Sequence, residues 1–167
     1  NLQGNVTVDG TVSAQLSEYL TLVKLSDAAL EKLIDYFETQ DEPTVIVFFG
    51  DHQPTDAVVE PIWNLEGKSS SDLTEEENQL RYKVPYVIWA NYDIDEAVNQ
   101  ESSANYLGAQ MMEAAGIPLS DYQNYLLEQK KEMPLISTQH TEAEGSDVWL
   151  NYQTLQYYLL FDWDGEK

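Results

Sequence analysis

The chain has 167 residues, 43% of them hydrophobic, which is enough apolar material for one sizeable core and a length that favours a single domain over two. Against 30 acidic residues stand only 8 basic ones, a net charge of -22, so the surface repels nucleic acid and anionic headgroups, which are bound through Lys and Arg. No cysteine is present, which excludes disulfides, thiolate metal sites and a cysteine nucleophile within these residues.

The opening NLQGNVTVDG has no initiator Met and reads as mid-protein sequence, so the expectation is a piece of a longer chain. No apolar stretch reaches the roughly 20 residues of a membrane span, and no basic region precedes an apolar one at the start. Any export or anchoring signal is expected outside these residues. From Ser13 to Thr39, Leu16, Leu20, Val23, Leu30, Ile34 and Phe37 recur at three- and four-residue intervals, which predicts one apolar face of a long helix. Asp27 interrupts that seam; it must reach a backbone amide or turn to solvent, and it reads as structural rather than catalytic. The DEP at 41–43 ends the helix.

The next segment, TVIVFFG, is a continuous β-branched and aromatic run, the pattern of a strand covered on both faces. Residues 55–82 look irregular around NLEGKSSSD, after which Thr74 and Glu77 form a capping box opening the short helix EEENQLRY. A second apolar strand, YVIWANY, follows at 86–92. Two buried strands separated by helical patterns predict an α/β fold with mainly parallel strands flanked by helices.

Beyond it, Ser102 is the expected cap of a helix through ANYLGAQMMEAA, with Leu107, Met111 and Ala114 or Ala115 inward and Gly116 at its C-terminal turn. Met111 and Met112 read as core filler. Ser120 and Gln123 make another capping box, opening a helix that Pro134 terminates. ISTQHTEAEGSD is a polar loop, and VWLNYQTLQYYLLF, with Leu155, Tyr158 and Leu159 at helical spacing, predicts a closing helix.

The chemistry concentrates at VIVFFGDHQP, residues 45–54, where the first strand ends in Gly50, Asp51 and His52. Ligands of open α/β sheets gather beyond the carboxyl ends of strands. A carboxylate and a neutral imidazole suit a borderline divalent ion such as zinc or manganese better than calcium or magnesium. Gly50 is expected to permit a sharp turn and Pro54 to stiffen the exit. Side chains adjacent on extended backbone point apart, so Asp51 and His52 share one ion only if the chain turns. Taken alone, the pair reads equally well as a helix-capping Asp beside a surface His. The other histidine, His140, reads as a solvated loop side chain.

Taken in order, YLTLVKLSDAALEKLIDYFETQDEPTVIVFFGDHQP, RYKVPYVIWANYDI and SANYLGAQMMEAAGIPLSDYQNYLLEQKKEMP resemble the C-terminal part of lipoteichoic acid synthase-like phosphoglycerol transferases. These belong to the sulfatase branch of the alkaline phosphatase superfamily. The resemblance runs from about Ala14 to Met133, and the closing YQTLQYYLLF is also similar to that family's end. It implies that residues 1–167 are the C-terminal portion of a sulfatase-type catalytic domain, whose N-terminal part carries the threonine nucleophile and the remaining ligands. By the same resemblance Asp51 and His52 ligate a divalent metal, usually manganese, with zinc or magnesium as the other options, and Asp27 matches a family aspartate.

No catalytic residue is assigned within the chain. The implied reaction passes glycerol phosphate from a phosphatidylglycerol-type lipid to an acceptor, outside a membrane in which the longer protein is anchored. The partners expected are that lipid and the missing part of the domain, not nucleic acid; alone, the chain is expected to be inactive and to hold metal weakly. A sulfatase or phosphodiesterase of the same superfamily, or a non-enzymatic acidic α/β binding module, are the alternatives.

Overall fold

Ser13 opens the first helix by accepting a hydrogen bond from Leu16 N through its Oγ at 3.2 Å. Helix α1 then runs Ala14–Glu38 in the computed structural model, which describes residues 4–11, 13–137 and 143–162. The chain gathers into two compact units, Asn1–Tyr92 and Asp93–Lys167.

In the first unit, the N-terminal arm is tied to α1 by Thr21, whose buried Oγ1 accepts from Asn5 N at 2.9 Å and Val6 N at 3.2 Å and donates to Ser17 O at 2.7 Å. After α1 come β1 (Val45–Phe49), α2 (Asp56–Trp63), two short 3-10 turns, α3 (Glu75–Leu80) and β2 (Tyr86–Ala90). The Thr74–Glu77 capping box forms as expected: Glu77 N donates to Thr74 Oγ1 at 3.2 Å and Thr74 N to Glu77 Oε2 at 2.9 Å. Helix α2, which packs on α1, was not legible in the sequence, because Pro61 sits inside it and argues against a helix.

The α/β class holds, but β1 and β2 pair antiparallel, with Val45 opposite Ala90 and Phe49 opposite Tyr86. The expectation of mainly parallel strands fails for this pair because the connector, residues 50–85, leaves and re-enters at the same end of the ladder. Gly50 N donates to Pro85 O at 3.1 Å, one step beyond the last strand pair. Parallel pairing would require the chain to recross the full length of the strand. Nor are both faces covered among the described residues: Phe48, Phe49 and Val87 are exposed, Phe49 to 53%. Asp27 and Val23 both face outward, so the seam of α1 is buried only towards its start, at Leu16.

The described residues of the second unit form three helices, α4 (Ala104–Ala114), α5 (Asp121–Glu132) and α6 (Asp147–Tyr157), the last passing into a π-helical turn, Tyr158–Asp162. Ser103, not Ser102, stands at the start of α4, and its hydroxyl accepts from Ile136 N at 2.6 Å, so it fastens the segment after α5. Ser102 pairs with the Gln110 side chain. The inward face of α4 is Tyr106 and Ala109, one and two positions before the predicted Leu107 and Met111, which are half-buried. Tyr106 sets that register: fully buried, it donates from its hydroxyl to Met133 O at 2.9 Å. Burial first, then the neighbouring Tyr152, pushes its phenol up to about 12.

Gly116 ends α4 as predicted. With φ at +68°, it lets Ile117 N reach Met112 O at 2.9 Å and Gly116 N reach Glu113 O at 3.0 Å, both bonds of a Schellman turn. Helix α5 opens on the Ser120–Gln123 box and stops at Met133, which Pro134 forces out of helical geometry to φ -139°. Leu126 completes the core with Tyr106 and Ala109, and Tyr122, Tyr125, Ile136 and Tyr152 pack around it. Among the described residues the buried apolar side chains are Leu16, Tyr106, Ala109, Leu126 and Met133, far from the sizeable core the composition suggested.

Candidate metal centre

Strand β1 delivers its chemistry at the end where the connector begins. Gly50 follows Phe49 and lies so close to the returning chain that a Cβ built on it would stand 2.9 Å from Val84 Cβ. Its φ is not in the left-handed region, so glycine is needed there for close approach rather than for the sharp turn expected from the sequence.

Asp51 and His52 then turn outward, with side chains 83% and 79% exposed. They do converge: His52 Nε2 lies 3.5 Å from Asp51 Oδ2. Asp51 Oδ1 meanwhile accepts from His52 N at 2.8 Å, which folds the carboxylate back over the next residue. The other ring nitrogen, Nδ1, is 2.8 Å from Gln53 O. A carbonyl oxygen only accepts, so Nδ1 carries a proton, and in the neutral form of the ring the lone pair is then at Nε2.

That arrangement sets two acceptors, Nε2 and Oδ2, facing each other. Their repulsion is relieved by a cation, either a proton that converts the ring to imidazolium or a metal ion. The 3.5 Å spacing is close to the roughly 3.4 Å kept by two tetrahedral ligands about 2.1 Å from one ion. The donor chemistry therefore fits a borderline divalent metal as part of a larger ligand set. Among the described residues, no group of three or more His, Asp or Glu side chains gathers to complete one.

Asp51 does not cap a helix, since the residue preceding α2 is Thr55. Asp27 is exposed on α1 and belongs to no such cluster. His140 lies outside the described residues. The residue that sequence reasoning passed over is Gln53. Its carbonyl receives the His52 ring, and its side-chain amide donates to Lys83 O across the connector.

The connector is itself braced by charge. Arg81 pairs with Asp56 and lies 5.4 Å from the centre of the Trp63 ring. Lys68 pairs with Glu77, holding that carboxyl below its usual range, and the hydrogen bond to Glu77 raises the Lys68 ammonium in return. Among the described residues no helix is long and apolar enough to cross a membrane.

The sequence profile of the Sulfatase family matches residues 3–117, more than half of the chain. The chain is 26% identical over 113 residues to the "Putative cyclic beta-1,2-glucan modification protein" of Rhizobium meliloti strain 1021, covering 66% of this chain and 18% of that protein. It is 44% identical over 45 residues to the "Capsular polysaccharide biosynthesis protein RkpI" of the same organism, covering 27% of this chain and 8% of that one. Among solved structures it is similar to Streptococcus pyogenes phosphoglycerol transferase GacH in complex with sn-glycerol-1-phosphate. The TM-score is 0.61 at 18% identity, over 90% of this chain and 37% of that one, a likeness of fold. The chain thus spans less than two fifths of the length of each of these proteins.

Proposed function

This chain belongs to the sulfatase family, and from that premise we propose that it supplies Asp51 and His52 as two ligands of the catalytic divalent metal in a phosphoglycerol transferase of the cell envelope. Manganese is the first candidate, with zinc and magnesium behind it. The observation that carries the reading is the convergence of Nε2 and Oδ2 at 3.5 Å, with Nδ1 already engaged by Gln53 O. When bound, such a metal neutralises charge on phosphoryl oxygens and lowers the pKa of a coordinated hydroxyl. The chain's own contribution is to hold one carboxylate and one imidazole lone pair together at the end of β1.

On this reading the rest of a sulfatase-type catalytic domain supplies the nucleophile and the other ligands, and the lipid donor is of phosphatidylglycerol type. The fold likeness to a phosphoglycerol transferase supports transfer. Membrane anchoring of the longer protein, with its catalytic domain outside the cell, belongs to the same proposal.

Manganese added to the 15N-labelled chain tests the site. Paramagnetic broadening should centre on the amides of Gly50–Gln53 and vanish in the Asp51→Ala/His52→Ala variant. Broadening centred elsewhere, or unaffected by the double replacement, would sink the assignment. The family's own description, Sulfatase, favours a second reading, hydrolysis of a sulfate or phosphate ester. An assay of a longer protein containing this chain separates the two: release of inorganic sulfate or phosphate, or of free glycerol phosphate, with water as the acceptor marks the hydrolase, and glycerol phosphate bonded to another acceptor marks the transferase.

A further inference from the structure

The Asp51–His52 pair is bracketed by two hydrogen bonds to one short segment. On its N-terminal side Gly50 N donates to Pro85 O at 3.1 Å, and on its C-terminal side the Gln53 side-chain amide donates to Lys83 O. Residues 83–85 lead into β2, which is locked to β1 by the antiparallel register, so this segment is a fixed template for the loop. Among the described residues, the imidazole is held by its Nδ1 contact with Gln53 O at 2.8 Å and lies 3.5 Å from Asp51 Oδ2 through Nε2.

We propose that Gln53 is a positioning residue for the metal-ligand pair: its amide clamps the loop to Lys83 O, and its carbonyl holds the His52 Nδ1 proton so that Nε2 offers its lone pair toward Asp51. The inference rests on the metal reading of that pair for its purpose, but the geometry it invokes belongs to Gln53 itself. Both halves of the residue are needed. The side chain fixes where the Gln53 backbone lies, and the backbone carbonyl decides which ring nitrogen is protonated. Free histidine in water favours the opposite tautomer, with the proton on Nε2, so without the clamp the ring would present the wrong nitrogen to Asp51.

The test is the tautomer of His52, read by long-range proton–nitrogen correlation on the 167-residue chain with 15N-labelled histidine. It is recorded at about pH 8, above the ordinary histidine range. The His52→Ala spectrum assigns the signals. The wild-type chain should hold His52 mainly as the Nδ1–H form. Gln53→Glu, nearly isosteric but unable to donate to a carbonyl, should shift the ratio severalfold toward Nε2–H, and Gln53→Ala should do the same. An unchanged amide spectrum outside the loop shows that both variants fold.

A wild-type ring found mainly as Nε2–H overturns the proposal, as does a tautomer ratio indifferent to both variants. Manganese titration of the same samples separates this outcome from the metal reading. A Gln53-dependent tautomer without broadening at Gly50–Gln53 supports the positioning role and removes the metal. Broadening there with a Gln53-independent tautomer does the reverse.

Discussion

Asn91 and Thr44 exchange two hydrogen bonds: Asn91 N donates to Thr44 O at 3.2 Å, and Thr44 N donates to the Asn91 side-chain Oδ1 at 2.8 Å. The same side chain turns its Nδ2 to the carbonyls of Phe37 at 3.1 Å, Gln40 at 3.0 Å and Glu42 at 3.0 Å. One amide thus ties the open end of the β1–β2 ladder to carbonyls at and just beyond the end of α1.

Asn91→Asp keeps the acceptor for Thr44 N but replaces the donor with an oxygen facing three carbonyls. The variant should lose about 1–3 kcal/mol of stability. Urea unfolding followed by fluorescence reads this as a lower midpoint at unchanged slope. A midpoint equal to wild type would mean that the three carbonyls do not depend on Asn91.

Gly50→Ala places a methyl 2.9 Å from Val84 Cβ and 3.2 Å from Val84 Cγ1. Overpacking of this kind costs about 1–3 kcal/mol. Val84→Gly removes both contacting atoms, so Gly50→Ala/Val84→Gly should lose less stability than the two single variants sum to, and strict additivity would place the strain elsewhere.

Asp51→Ala/His52→Ala should change stability by no more than about 0.5 kcal/mol, because both side chains are largely exposed. Thermal melting checks it, and a large drop would make the pair structural. The same chain should turn over neither phosphoester nor sulfate-ester substrates, with or without manganese. Metal-dependent turnover that survives the double replacement would refute the site.

At high pH the second unit should weaken first. The Tyr106 phenol is pushed up to about 12 in the fold, chiefly by burial, while an unfolded tyrosine ionises near about 10. Between those values the folded chain keeps a proton that the unfolded chain releases, so stability falls as pH rises from about 10. Burial raises Tyr125 and Tyr152 in the same direction. Tm measured against pH should therefore decline more steeply above about pH 10 in the wild-type chain than in Tyr106→Phe. Equal slopes would mean that Tyr106 is reached by solvent before the unit unfolds.

Ion pairing in the connector carries its own pH window. Glu77 is lowered by its hydrogen bond to Lys68, so its contribution is present above the ordinary carboxylate range and fades as pH falls through the folded value. Lys68 is raised by the same bond, so its part is full below the ordinary lysine range and fades only as pH rises through the folded value. Lys68→Met should leave Tm unchanged at strongly acidic pH and lower it slightly near neutrality, because the pair lies near the surface. An equal loss at both pH values would point to packing by the Lys68 stem instead.

Local physics made much of the chain legible without a structure. Ser13, Thr74 and Ser120 mark helix starts because a hydroxyl two or three residues ahead of free amides caps them wherever it occurs. Gly116 marks a helix end because it takes a left-handed φ at little steric cost, and Pro134 because it forces the residue before it out of helical geometry. The ordered motifs around GDH at the end of β1 mark the family that the sequence profile shows, and make Asp51 and His52 candidates, because such motifs are contiguous in the chain. What only tertiary structure decided were relationships between distant segments. The antiparallel pairing of β1 with β2, the choice of Tyr106 and Ala109 as the buried face of α4, and the roles of Asn91 and Gln53 all follow from contacts 27 to 54 residues apart. A sequence pattern records which side of an element is apolar; it does not record which carbonyl, a whole connector away, a lone amide will find.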